Sequence, residues 1–594
     1  MSFTFGDDTE DDPVMLQFPL NTPYIFTTFA TKIIYMKKLL VSFICVLISF
    51  SIYAQSEHYA KQAFPYRATA EEQQMLQTWY HNTKTTTPPP SPITALAEFQ
   101  PMGGVMIAYP LGIPVNLVSE LSMITQVKVL VYPASDSNTV KTYFASNGVN
   151  MDNVGFWVVN HDSYWTRDYG PWFILDGNNE IGVVDFTYNR PSRPHDDAAL
   201  EQVTSLMNMN RYEMPMVHTG GNYMVDGYGT AASTTLVLTE NSNQSVSMLE
   251  NLANDYLGIN TYMMLDDPLG DYIEHIDCWG KFLDVDKVLI GQVPASDSRY
   301  NDYEQVANTF ANALTPWGNH YKVYRVYSPG RYNTTPFTNS LILNDHVFVP
   351  VTGTQWDNAA ISVYQQAMPG YTIVPISKDN YSPQWENTDA LHCRTHELAD
   401  PNMLYIKHFP ILGNVDLPAT TLISAEIKPL SGQGLLNDSV LVYYRINEGN
   451  WQSTPMYASC GGNNYDASIP NLQANDEVDY YIFAKDNTGR RECHPYIGAA
   501  DPHHFSVQTV GIENHVTQNT LALYPNPCSR QFVVSCPKTA KSIEVYDLSG
   551  SLVFSRTDCE PTFTVNTSLW ASGLYMVRIT DKSGKVYNKK VVKR

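Results

Sequence analysis

The sequence predicts a large α/β domain followed by two all-β modules, and three features carry that reading. Short β-rich runs alternate with helix-like stretches from about residue 95 to 412. Helices then vanish, and apolar and polar residues alternate from about 419 to 508. A last β-rich stretch, about 512 to 594, is broken by turn residues. At 594 residues the chain exceeds one ordinary domain, and with 43% hydrophobic and 12% aromatic residues it can bury a large core. Its net charge of −22 argues against a nucleic-acid partner, because phosphate contacts need Lys and Arg in excess. An acidic surface suits a cationic substrate instead.

Residues 1–35 precede a natural start at Met36, carry no structural pattern and read as an over-extended start. Residues 36–54 read as a signal peptide: Met36-Lys37-Lys38, an apolar run over 39–50, and a small-residue end at Ala54. That run is too short for a comfortable membrane span, so it exports the chain rather than anchors it. Residues 55–94 form a propeptide and linker, extended at Pro88, Pro89 and Pro90. The α/β domain occupies 95–414, with strands expected at 105–110, 127–133, 156–160, 181–186, 288–293, 346–351 and 371–376, and helices at 116–124 and 303–314. Residues 415–508 read as an immunoglobulin-like β-sandwich, with strands at 440–446, 477–484 and 504–507 and a turn at Asp486-Asn487-Thr488-Gly489. Cys460 and Cys493 both fall there and could pair. Residues 509–594 form the last module, opened by Tyr524-Pro525-Asn526-Pro527 and closed by the basic tail Lys589-Lys590-Val591-Val592-Lys593-Arg594.

Eight cysteines are too few for a disulfide scaffold in a chain of this length. Cys45 lies in the leader, so seven of the eight remain after export, and an odd number leaves at least one thiol unpaired within the chain.

Four segments of the α/β domain concentrate polar chemistry: 163–169 (Ser-Tyr-Trp-Thr-Arg-Asp-Tyr), 220–229 with Gly220-Gly221-Asn222, 275–281 (His-Ile-Asp-Cys-Trp-Gly-Lys) and 391–397 (Leu-His-Cys-Arg-Thr-His-Glu). Together they meet the demands of guanidinium hydrolysis. A planar cation with three nitrogens is held bidentately by carboxylates, for which Asp168 and Asp277 are the candidates. A soft nucleophile, Cys393, attacks the central carbon, and His275 serves as acid and base for the departing ammonia. If residues 275–277 are a strand, His275 and Asp277 point to one face and reach one site together.

With these motifs in view, the chain resembles the guanidino-group-modifying (pentein) superfamily, above all the secreted bacterial peptidylarginine deiminases, with agmatine deiminases as close relatives. Trp165-Thr166-Arg167-Asp168, Gly220-Gly221-Asn222, His275-x-Asp277 and His392-Cys393-x-Thr395 carry the likeness. The resemblance implies a five-bladed α/β-propeller with Cys393, His275, Asp277 and Asn339 as catalytic residues. It implies that Asp168 holds the guanidinium with Asp277, that Trp165 stacks along the arginine stem, and that Tyr272 and Ile273 line the pocket. It further implies that Arg190 and Arg193 bind the C-terminal carboxylate of a peptide, although Ser192 lengthens the loop between them and puts Arg193 in doubt. No cofactor or metal is expected, and the chain is expected to be a monomer. The last module resembles the C-terminal sorting domain of type IX secretion cargo, which implies that machinery as a partner and the outer-membrane surface or the medium as destination.

Other readings stand beside this one. Free agmatine could replace peptide-bound arginine as substrate. Asp168 could be no more than an ion-pair partner of Arg167. Cys278 reads most simply as a buried small residue, and the glycines as turn and packing residues. His275, Asp277, Cys278, His392, Cys393 and His396 could form a zinc site, yet their spacing fits neither a paired-cysteine finger nor a His-Glu-x-x-His helix. A surface adhesin with an inert α/β domain is the non-enzymatic alternative.

Overall fold

Five small sheets, each repeating one plan, make up the α/β part of the chain in the computed structural model. The structure describes residues 36–38, 58–60, 72, 74–75, 85–270, 273–330, 333–417, 421–459, 462–509, 522–535, 540–547, 550–557, 562–581 and 586–594. The apolar leader segment 39–50, Tyr272 and Cys460 lie outside the described residues. The plan is an antiparallel pair followed by a helical crossover into a parallel strand. In one sheet Gly280–Asp284 pairs antiparallel with Lys287–Gln292, and helix Tyr300–Asn312 leads to the parallel strand Lys322–Tyr327. The next repeats it with Leu341–Leu343, His346–Val351, helix Asp357–Ala367 and Thr372–Ser377. Trp172–Leu175, Ile181–Tyr188, helix Pro194–Met207 and Asn210–His218 form a third copy, and Met224–Val225, Thr230–Thr234, helix Val246–Leu257 and Thr261–Leu265 a fourth.

The fifth sheet joins the two ends of this region. Its first strand is His396–Leu398, which pairs antiparallel with Gly104–Ala108, and the parallel strands Gln126–Val131 and Val154–Val158 follow. The chain therefore returns to its starting sheet three residues after Cys393, and the pairing of His396 with Met106 ties the nucleophile's turn to the first strand of the region. Central strands are buried on both faces, as Gly104–Ala108 and Ile181–Tyr188 are throughout, which is why they read as unbroken apolar runs.

The sandwich takes its first strand from Leu404–His408, ahead of residue 415, because that strand pairs with Leu422–Pro429. The facing sheet contains Glu477–Lys485, whose burial alternates strictly as a half-buried strand requires. Its own apolar core is centred on Val442, Tyr480, Ile482 and Phe505. Where the sandwich meets the α/β part, three histidines are buried together. The His494 ring lies 2.8 Å from the Tyr228 hydroxyl and 3.0 Å from His503, and His408 lies 2.9 Å from the Tyr480 hydroxyl. Residues 1–508 form one compact unit and 509–594 another, the latter all-β around Phe532, Ile543, Val565 and Val577.

Candidate active site

Cys393 sits in a single 3-10 turn, His392–Arg394, and Asn339 builds its surroundings. The Asn339 side-chain oxygen accepts hydrogen bonds from the backbone N–H groups of His392 (3.0 Å) and Cys393 (3.3 Å), while its Nδ2 lies 3.2 Å from the Cys393 sulfur. The same carboxamide thus fixes both the turn and the thiol.

Asp277 and His275 do not lie on a strand, contrary to the expectation from period two. Glu274 takes a left-handed conformation (φ 49°) and Ile276–Cys278 forms a second 3-10 turn, so the chain bends where an extended segment was expected. A His-x-Asp spacing is compatible with either geometry, and the bend nevertheless brings Asp277 to the sulfur: its Oδ2 lies 3.5 Å from Cys393 Sγ. Cys278 is buried as expected of a small residue, yet it also points its sulfur at the other Asp277 oxygen, 3.5 Å away.

Asp168 faces His275, with Oδ1 3.7 Å from Nδ1. It is not the partner of Arg167, which forms a bidentate pair with Glu397 at 3.1 and 2.6 Å. Both His275 ring nitrogens and Asp168 Oδ1 are buried without a hydrogen-bond partner among the described residues. Buried polar atoms of this kind are costly unless something engages them. A narrow cleft is lined by Trp165, Asp168, Arg193, Ile273, His275, Thr388, Asp389 and Cys393. Arg193 stacks over Trp165, its guanidinium carbon 4.6 Å from the ring centre. Arg190 is buried near Asp168 and His275 and acts on the charge of both, but it is not among the residues lining the cleft. On the loop between the two arginines, the Ser192 hydroxyl donates a hydrogen bond to the buried carboxylate of Glu72.

Sequence reasoning missed Thr388 and Asp389. Arg394 holds Asp389 bidentately at 2.8 and 2.9 Å, and their separation of five residues next to the nucleophile was the available signal. It also undervalued Gly221, read as a turn glycine: a Cβ there would lie 2.5 Å from His275 Nδ1 and 2.9 Å from Asp168 Oδ1.

A second, larger cavity has Glu98, Arg167, Asp277, Lys281, His392 and Glu397 among its lining residues. Asp277 and His392 line this chamber and not the cleft, whereas Cys393 lines the cleft and not the chamber. Among the described residues, no group of three or more His, Cys, Asp and Glu side chains could hold a metal ion.

Burial governs the protonation states. It pushes Asp168 up to about 7, with the nearby Asp277 charge adding to the effect. It pulls His275 down to about 3, leaving a neutral imidazole able to accept a proton. A hydrogen bond with the Cys278 thiol favours the Cys393 thiolate, but burial and the charges of Asp277, Asp389 and Asp168 outweigh it and push Cys393 up to about 11. The site therefore combines a neutral thiol, a neutral imidazole and two unlike carboxyls, Asp277 bonded to His392 and Asp168 held near 7.

Residues 112–398 match the Porphyromonas-type peptidyl-arginine deiminase family. They are a deiminase domain of that family. The deiminase domain also has curated relatives: a protein of Yersinia pestis, provisionally named agmatine deiminase, is 24% identical over 277 residues, covering 40% of this chain and 74% of its own length. A Legionella pneumophila protein with the same provisional name is 25% identical over 301 residues, covering 48% of this chain and 84% of its own. Among solved structures, an agmatine deiminase of Enterococcus faecalis aligns with a TM-score of 0.47 at 20% identity, covering 54% of this chain and 100% of that one. Beyond the deiminase domain, residues 522–594 match the secretion system C-terminal sorting domain, which directs type IX export to the cell surface or the extracellular space.

Proposed function

We propose that the chain hydrolyses the guanidinium of peptide-bound arginine, preferentially at a peptide C-terminus, to citrulline and ammonia. The observation that carries this reading is that Asp168 Oδ1 and both His275 ring nitrogens, buried and without a hydrogen-bond partner among the described residues, face each other in one cleft with Cys393. A planar cation placed there would satisfy those atoms and lie against the sulfur, while Asp277, 3.5 Å from that sulfur but lining the other chamber, would act as second holder from the far side of the thiol. The cation's charge would also lower the cost of ionising a thiol that the site holds at about 11.

The reaction then runs in two halves. As the guanidinium binds, the Cys393 proton passes to His275 and the sulfur forms a bond to the central carbon, giving a tetrahedral adduct. His275 returns the proton to one terminal nitrogen, the carbon–nitrogen bond breaks, ammonia leaves, and a positively charged thiouronium remains. Water attacks the same carbon while His275 takes its proton, the carbon–sulfur bond breaks, and the ureido group of citrulline departs. Asn339, whose Nδ2 lies 3.2 Å from Sγ, stabilises the sulfur while it carries charge.

Preference for a C-terminal arginine rests on the cationic rim. Arg193 lines the cleft over Trp165, and Arg190 is buried close enough to act on the charge of Asp168 and His275. The adjoining Ser192 already engages a carboxylate, that of Glu72. We further propose that the five repeated sheets are blades of one propeller, closed by the pairing of His396–Leu398 with Gly104–Ala108. Agmatine is the second reading, favoured by the names of the curated relatives.

One assay separates these readings: citrulline or carbamoylputrescine release from a peptide ending in arginine, a peptide with internal arginine, and agmatine. The expected result is fastest turnover of the first, lost entirely in Cys393→Ala and reduced roughly 10²- to 10⁴-fold in His275→Ala. Fastest turnover of agmatine would overturn the peptidyl assignment, and undiminished turnover by Cys393→Ala the nucleophile.

A further inference from the structure

We infer that His392 is a positioning residue for this reaction: it clamps Asp277 Oδ2, the oxygen that faces the Cys393 sulfur, and so keeps that carboxylate charged and aimed at the nucleophile. The inference rests on the deiminase reading given above and assigns a role to a side chain which that mechanism does not use.

The geometry is that of a four-membered hydrogen-bonded chain. His392 Nδ1 lies 2.7 Å from Asp277 Oδ2, and Nε2 lies 3.0 Å from Glu98 Oε2. Glu98 Oε2 in turn accepts from Lys281 Nζ at 2.7 Å, and Glu98 Oε1 accepts from the backbone N–H of Ile342 at 2.7 Å. Carboxylate oxygens only accept, so both ring nitrogens must carry hydrogen for both contacts to be hydrogen bonds. The row therefore alternates acceptor and donor: Asp277 and Glu98 accept, His392 and Lys281 donate. No member is more than 15% exposed, so these interactions are little screened by solvent. The His392 ring cannot swing away, because its backbone N–H is held by the Asn339 side chain and both ring nitrogens are engaged.

The two acids of the site differ in this one respect. Asp168 and Asp277 are both deeply buried beside each other's charge, which should drive both toward the neutral form. Asp168 does rise, to about 7. Asp277 instead falls below its ordinary value: burial works to raise it, but the hydrogen bond and charge of His392, with smaller help from His275 and Lys281, prevail. The other titratable and charged groups around Asp277 are the thiols of Cys393 and Cys278, the Asp168 carboxyl and the Arg167 guanidinium, which lines the same chamber. Of the nitrogen donors around it, His392 is the one bonded directly to the Asp277 carboxylate, and it does most to keep that group charged next to the sulfur.

The test uses the full chain and three variants. His392→Asn keeps a donor near the Nδ1 position and loses Glu98, His392→Gln places its donor near Nε2 and loses Asp277, and Lys281→Met cuts the far end of the row. Wild-type enzyme is assayed first, and failure to turn over any of the three guanidino substrates would overturn the deiminase reading and this inference together. Given an active wild type, His392→Gln is expected to lose about 10²-fold in kcat/KM, as a misplaced binding group does, and its acid limb, set by Asp168 near 7 in the wild type, should steepen from one proton to two as Asp277 rises to join it. His392→Asn should keep the wild-type limb, and Lys281→Met should steepen it less than His392→Gln. A second readout is independent of turnover: Cys393 alkylation by a cationic haloacetamidine should slow in His392→Gln while alkylation by a neutral haloacetamide does not. Equal losses in Asn and Gln variants with an unchanged acid limb, or equal slowing of both alkylators, would reduce His392 to packing and overturn the inference. Should His392→Gln fail to fold, Lys281→Met decides by the same limb and the same pair of alkylators.

Discussion

Asp168 turns burial into a pH requirement. Its carboxyl is held at about 7, so below that pH it is increasingly neutral and offers a guanidinium no charge. We expect kcat/KM to fall as pH drops through about 7, and Asp168→Asn to remove that limb together with most of the activity. A limb near pH 4 in the wild type would contradict the role given to this residue. At this scale the sequence was informative about which residue types cluster, since an unpaired Cys, two Asp and a His in short polar segments are rarely a packing accident. It was silent on contacts made at long range. That Arg167 turns to Glu397 rather than to its neighbour, and that Arg394 braces Asp389, depends on which turns the fold brings side by side.

Two 3-10 turns, at Ile276–Cys278 and His392–Arg394, hold Asp277 and Cys393, and a third at Gly220–Asn222 packs against the first of them. Reading residues 275–277 as a strand failed because alternation over three residues is too short to tell an extended chain from a bend. The longer elements were legible: runs at 181–186 and 346–351 correspond to strands Ile181–Tyr188 and His346–Val351. Gly221 makes the turn architecture testable. A methyl there meets His275 at 2.5 Å and Asp168 at 2.9 Å, so Gly221→Ala should cost about 10²-fold in kcat/KM through displacement of the two groups, with the far-ultraviolet circular dichroism unchanged. An unaffected rate would mean the turn has room to relax. Removing the bidentate Arg167 tests the support behind these turns, since Arg167→Met leaves buried Glu397 unpaired and should destabilise the fold by roughly 3–5 kcal/mol in denaturant titration.

At the scale of the molecule, the alternation of strand and helix revealed an α/β class, but the repeated sheet plan and the return of His396–Leu398 to the first sheet are long-range pairings that no local pattern encodes. The buried histidines between sandwich and deiminase domain predict how the compact unit responds to acid. Burial holds His408 near 4 and His494 and His503 well below their ordinary value of 6.5. The unfolded chain therefore binds protons that the folded one refuses, and stability should fall as pH drops from about 6.5 toward 4. Melting temperatures across that range should show the decline, and His503→Gln should flatten part of it. The contact between Glu72 and Ser192 has a different reach. Under the proposed docking of a peptide terminus at Arg190 and Arg193, the Glu72 carboxylate, bonded to Ser192 between them, would compete for the same place. Removing the chain through residue 72 should then lower KM for peptides ending in arginine and leave KM for agmatine, which has no carboxylate, where it was.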